Sequence, residues 1–157
     1  MLLYKTIKLD IDEQAIIKVL SNELRGWVGF SLDTENSSLQ IGRVSEGGYY
    51  AKRWTQVEEK LKPYIDLSQV DFDPEKSLVS KTGPGGFAKP HYDLGRSVAL
   101  LIPLGDNKGK LTFHMPYKHL PIWQHQYTGP TLIRSTVLHS MLNTSKKERY
   151  CIQLHIR

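Results

Sequence analysis

Apolar positions along the chain follow two rhythms, a helical one in the first half and a strand-like one in the second. Tyr4-Lys5-Thr6-Ile7-Lys8-Leu9 alternates as an edge strand would. Ala15, Ile16, Val19, Leu20 and Leu24 then share one face of a helix that Asp10 or Asp12 can cap and that ends near Gly26. The polar run 33–38 reads as a loop. After Gly47-Gly48 the spacing predicts a second helix over 49–61, with Tyr50, Trp54, Val57 and Leu61 on one stripe and Pro63 ending it. From Ser77 onward the pattern becomes short apolar segments divided by turn signals, the signature of an all-β unit. Gly83-Pro84-Gly85-Gly86 is expected to bend the backbone into the next strand, or to form a flap. Gly105 to Gly109 reads as a turn into Lys110-Leu111-Thr112-Phe113-His114. The chain is thus expected to be one domain, with a helix and strand scaffold over 1–76 and a β core over 77–157.

Composition agrees with one compact globular unit. The chain has 157 residues, 39% of them hydrophobic and 24% charged, enough for one substantial core. No apolar run approaches the roughly 20 residues that cross a bilayer. Residues 1–5 lack the apolar core and cleavage site of a signal peptide, so a cytoplasmic protein is expected. One cysteine excludes an internal disulfide and a cysteine-rich zinc module, and fits a reducing compartment. The net charge of +5 favours an anionic partner. Its basic residues are scattered, however, and the densest group, Lys146-Lys147 with Glu148 and Arg149, falls in an expected hairpin turn. No basic and aromatic stripe argues for nucleic acid.

The candidate chemistry lies in His91-Tyr92-Asp93, in His139, and in Arg149 ten residues later. In a strand, residues two apart face the same side, so His91 and Asp93 can turn toward one metal while Tyr92 turns away. His139 lies in the apolar stretch Thr136-Val137-Leu138-His139-Ser140-Met141, which reads as a strand and can reach the same point from across a barrel. Two imidazoles and one carboxylate form a facial set that leaves positions open for a bidentate cosubstrate and O₂, as in non-heme Fe(II) oxygenases. In the last strand Arg149, Cys151, Gln153 and His155 share a face, and a guanidinium there suits a carboxylate through two parallel hydrogen bonds. The alternative is structural: His91 in a turn, Asp93 capping, and Arg149 in an ordinary ion pair.

Over 80–156 the sequence resembles the 2-oxoglutarate and Fe(II)-dependent oxygenases. The resemblance rests on Pro90-His91-Tyr92-Asp93, the strand Val98 to Leu104, Gly129-Pro130-Thr131-Leu132-Ile133, and His139 to Asn143 leading to Arg149. It implies a mainly β fold with supporting helices, a double-stranded β-helix or jelly-roll, cupin-like barrel, with the helices packed outside its sheet. It also implies Fe(II) at His91, Asp93 and His139, and 2-oxoglutarate at Arg149. The stretch from His139 to Arg149 is most similar to the aspartyl/asparaginyl β-hydroxylases, in which a hydroxyl at the position of Ser80 helps hold the cosubstrate. Cys151 stands where many relatives have Ser and would line that pocket or fill the core. Asp93 departs from that branch and matches the wider superfamily, including the prolyl hydroxylases, which have an Arg near the position of Arg96. Arg96 would then hold an acidic substrate group or form a structural ion pair.

The implied reaction consumes 2-oxoglutarate and O₂, yields succinate and CO₂, and hydroxylates a C–H bond. The substrate class implied is an amino-acid residue in a protein or peptide, or a free amino acid. Trp123 and Tyr127, in the aromatic stretch 116–127, would stack on substrate or fill the barrel mouth. A second metal site from His114, His119 and His125 matches no helix or strand spacing. Competing readings are a metal-binding cupin-like barrel without turnover and an oxygenase acting on a nucleobase. Only eight residues follow Arg149, so closure of the site is expected from the N-terminal half or from a partner subunit in a homo-oligomer.

Overall fold

The computed structural model describes residues 3–29, 49–91, 97–106, 108–116 and 120–157, without the side chains of 49 and 87–91. The run 33–38 lies outside them. Among the described residues eleven strands form two antiparallel sheets, flanked by two helices.

Strand β1 (Tyr4–Thr6) is the expected edge strand, pairing with β9 (Thr131–Arg134). Helix α1 (Glu13–Ser21) is capped by Asp12, whose carboxylate accepts from Ala15 N at 3.2 Å. Because α1 stops at Ser21, Leu24 leaves the apolar stripe and is 85% exposed, against expectation. The predicted helix over 49–61 is divided: β3 (Tyr49–Arg53) precedes α2 (Trp54–Leu61), and a short 3-10 turn continues over Lys62–Tyr64. Trp54, Val57 and Leu61 keep their buried helical stripe, while Tyr50 is a half-exposed strand residue. The two-residue β2 (Val28–Gly29) pairs with β3.

The remaining strands are β4 (Phe72–Thr82), β5 (Phe87–His91), β6 (Val98–Pro103), β7 (Lys110–His114), β8 (Pro121–Gln126), β10 (His139–Leu142) and β11 (Arg149–Ile156). One sheet has the order β1-β9-β6-β11-β4-β3-β2 and the other β5-β10-β7-β8. From β4 to β11 the chain therefore alternates between sheets, interrupted once by the β7–β8 hairpin. This is the winding of a double-stranded β-helix, or jelly roll. The β region starts at Phe72 rather than Ser77. Pro74 sits where β4 slips against β11, between the pairs Leu78↔Gln153 and Asp73↔His155. Pro has no N–H for the ladder and favours such a bulge. Ser77 Oγ stitches it, donating to Asp73 O at 2.7 Å and accepting from His155 N at 3.0 Å.

Both faces are buried at the centre of the larger sheet, in β6, β11 and the end of β4. Val79, Leu100, Ile102, Ile152 and Leu154 pack outward against Ile16, Leu20, Trp54, Val57 and Leu61 of the helices. Their strand neighbours Ala99, Leu101, Ile133 and Cys151 pack inward with Leu111, Phe113 and Met141 of the smaller sheet. Two-sided burial explains why Val98-Ala99-Leu100-Leu101-Ile102 is continuously apolar. Each fully buried aliphatic side chain contributes about 1.5–3 kcal/mol. Gly83 to Gly86 forms the expected turn, with Gly86 N donating to Gly83 O at 2.8 Å and Gly85 at φ 70°.

Candidate functional site

Alternation along β11 decides which side chains enter the barrel. Tyr150, Ile152 and Leu154 join the outer core, so Arg149, Cys151 and Gln153 belong to the inner face. The register then brings partners to them: Thr82 lies opposite Arg149, Ser80 opposite Cys151, and Leu78 opposite Gln153. Ser80 Oγ accepts from Gln153 Nε2 at 3.0 Å and donates to Cys151 O across a long 3.4 Å. A contact that long is weak, and its proton is cheaply redirected. Cys151 is fully buried and in no disulfide.

Arg149 is 3% exposed, at the first position of β11. The turn before it is confined to 145–147, so Arg149 leaves the solvated cluster expected from sequence and joins the interior. Nη1 donates to the Lys108 carbonyl, the guanidinium carbon lies 5.9 Å from the Tyr127 ring centre, and Nε is buried without a hydrogen-bond partner among the described residues. Tyr127 is itself buried in the inner core, whereas Trp123 is half-exposed on β8 and donates to Tyr4 Oη at 3.3 Å.

His139 opens β10; the preceding residues 135–138 form a turn rather than the expected strand. Its backbone pairs with Phe113 on one side and His91 on the other. His139 is 2% exposed, and its Nδ1 lies 2.7 Å from Val137 O. A carbonyl can only accept, so Nδ1 carries the hydrogen in this contact, which fixes the ring. Metal-ligating histidines are commonly fixed this way.

His91 is described through its backbone alone, and Tyr92, Asp93 and Arg96 lie outside the described residues. Among the described residues no three His, Cys, Asp or Glu side chains form a metal-binding group. His114 Nε2 lies 2.7 Å from Ser140 Oγ, while His125 stacks 4.1 Å from Tyr4 and meets Tyr127 edge-on at 5.8 Å. The two are thus engaged in separate surroundings; His119 lies outside the described residues. Burial holds the His125 imidazole below its ordinary pKa.

Asn143 is 2% exposed and ties the turns around the interior together. Its amide donates to Thr82 O, Gly83 O and Lys147 O at 2.8–3.1 Å, and its oxygen accepts from Ser145 N at 2.9 Å. Two contributors were not legible in the sequence: the Lys108 carbonyl and Gly109, which together seat Arg149. A Cβ on Gly109 would lie 2.7 Å from Arg149 Nη1, and Gly109 has φ +84°. The glycine thus satisfies both a close approach and a left-handed backbone. A cleft of about 600 Å³ lies elsewhere, outside the barrel beside α2, lined by Trp54, Glu58 and Asp66.

No protein family and no curated protein matches the sequence. Among solved structures, a Pseudomonas putida prolyl-4-hydroxylase is similar at 13% identity and a TM-score of 0.48, over 99% of this chain and 93% of that one. Two structures of oxalate oxidase, one in complex with the substrate analogue glycolate, are similar at 12% and 10% identity with TM-scores of 0.42 and 0.43. Each match covers 85% of this chain and 75% of the other. No helix among the described residues is long and apolar enough to cross a membrane.

Proposed function

We propose that the barrel interior is the active site of an Fe(II) and 2-oxoglutarate-dependent dioxygenase that hydroxylates a C–H bond of an amino-acid residue in a protein or peptide, or of a free amino acid. The observation that carries this reading is Arg149, a cation buried on the inner face with an unpartnered Nε–H. Leaving a charged donor unsatisfied is costly, and a carboxylate ligand removes that cost. The backbone supports a shared metal: His91 and His139 sit at directly opposed positions of β5 and β10, and the His139 ring is fixed by the contact of Nδ1 with Val137 O at 2.7 Å.

In this reading His91, Asp93 and His139 hold the metal, with Asp93 assigned from its place two residues after His91. Arg149 takes the distal carboxylate of 2-oxoglutarate. Ser80 turns its weakly held proton toward the same carboxylate while Gln153 keeps its oxygen in place. Cys151, small and apolar, lines the floor between them. Tyr127 lies against the guanidinium and shields it from water, which strengthens its attraction for an anion. Bound Fe(II), 2-oxoglutarate and O₂ supply the oxidising chemistry; the chain supplies position, charge and a dry cavity. Trp123, exposed on β8, is assigned to substrate contact together with Arg96. A cytoplasmic location accords with the presence of a single cysteine.

Calorimetric titration of 2-oxoglutarate into the protein loaded with Mn(II), a slowly oxidised stand-in for Fe(II), tests this. The expected result is one site, weakened about 100-fold in Arg149→Met, as loss of a charge-assisted bidentate contact requires. The metal itself is expected to be lost in His139→Ala. Metal binding without any 2-oxoglutarate heat in the native protein would favour a non-catalytic metal barrel.

A further inference from the structure

Arg149 is held by a backbone segment that is in turn tied to a distant helix. Its Nη1 donates to the Lys108 carbonyl, and its guanidinium lies against Gly109. The Lys108 side chain folds back: Nζ donates to Gly105 O at 2.6 Å and pairs with Glu13 Oε1 at 2.6 Å. Glu13 is the first residue of α1, on the outside of the barrel. On its other side the segment is fixed through Gly109 O, which accepts from Tyr127 N at 3.1 Å and from Gln126 Nε2 at 2.8 Å.

A cleft of about 300 Å³ lies beside the turn, lined by Gln14 and Ile17 of α1 and by Gly105, Asp106 and Arg149. The Glu13–Lys108 ion pair joins helix and turn. It is also partly sheltered, with the Lys108 side chain 14% and that of Glu13 34% exposed, so water screens it less than a surface pair.

We infer that Glu13 and Lys108 are positioning residues for the anion-binding guanidinium: the ion pair fixes the Lys108 carbonyl, and the carbonyl fixes Arg149. The inference rests on the reading of Arg149 as the seat of the 2-oxoglutarate carboxylate. It assigns a role in cosubstrate selection to a helix outside the barrel. A misplaced guanidinium weakens ligands that reach it and leaves untouched those that do not. The signature is therefore a ratio of affinities, for 2-oxoglutarate over pyruvate, a 2-oxo acid lacking the distal carboxylate.

The test measures that ratio by calorimetry on the Mn(II)-loaded protein, in the native chain, in Glu13→Gln, and in Lys60→Gln. The last removes a different ion pair, with Glu23, away from the turn. The expected result is a native ratio well above one, lowered roughly threefold to tenfold by Glu13→Gln, the scale of one sheltered ion pair, and unchanged by Lys60→Gln. A native ratio well above one that Glu13→Gln leaves intact would overturn the positioning role while sparing the assignment of Arg149. A native ratio near one would overturn both. An equal fall in Lys60→Gln would also overturn the role, since it would mark a general loosening of the scaffold.

Discussion

On its outer face the larger sheet presents Val79, Leu100, Ile102, Ile152 and Leu154 to the helices; on its inner face the same strands present Ser80, Thr82, Arg149, Cys151 and Gln153. Every one of these residues is buried, so burial alone does not separate them. Chemistry does. The outer set is aliphatic, with Tyr150 beside it in the same core, and contributes stability through area removed from water. The inner set keeps polar groups that must be matched at a cost, and one of them, Arg149 Nε, is left unmatched. The inner face also carries Ala99, Leu101 and Ile133, so its polar residues form a patch beside an apolar core. The two faces should therefore fail differently when altered.

The largest effect is expected outside. Leu154→Ala should lower unfolding free energy by about 2–5 kcal/mol in urea titrations, the usual result of emptying a fully buried aliphatic site. The affinity of the remaining folded protein for 2-oxoglutarate should be unchanged. Arg149→Met is the converse: cosubstrate binding falls by about 100-fold, or roughly 2.7 kcal/mol, while stability stays within about 1 kcal/mol or rises, because a buried unmatched donor has been removed. If Arg149→Met unfolded as readily as Leu154→Ala, the inner face would be structural after all. Ser80→Ala is intermediate. It removes the hydroxyl that accepts from Gln153 Nε2 and should cost about 1 kcal/mol in stability along with a severalfold loss of 2-oxoglutarate affinity.

The smallest effect concerns pH, at the aromatic wall between β1 and β8. Burial depresses the His125 pKa, so the folded chain takes up a proton less readily than the unfolded one. Stability should fall as pH drops below the ordinary value of 6.5, down to the depressed folded value, and level off beneath it. His125→Phe keeps a ring against Tyr4 and should flatten that part of the curve in thermal melts between pH 7 and 5; an unaltered curve would assign the acid sensitivity to other groups.

Much of this division was readable from period alone. The inner position of Arg149, Cys151 and Gln153 followed from alternation in β11, and Asp12 and the turn at Gly83 to Gly86 announced themselves by residue type. What failed has physical causes. Tyr50 lies four residues before Trp54 and so mimics a helical stripe, but pairing of β3 with β4 overrides that spacing. Leu24 continues the stripe of α1 in sequence, yet the helix stops at Ser21. The bulge at Pro74 moved the start of β4 ahead of the apparent change in pattern. At the site, ligand-type side chains could be proposed from order and spacing, whereas the seat of Arg149 could not. Its contact is a backbone carbonyl 41 residues away, braced by an ion pair spanning 95 residues, and neither leaves a periodic trace.

The most direct measurement is the visible absorption spectrum of the purified protein with Fe(II) and 2-oxoglutarate in the absence of oxygen. A metal-to-ligand charge-transfer band is expected, absent in His91→Ala and requiring about 100-fold more 2-oxoglutarate in Arg149→Met. Fe(II) bound with no such band, or a band indifferent to Arg149, would contradict the proposal that the polar inner face is a cosubstrate site.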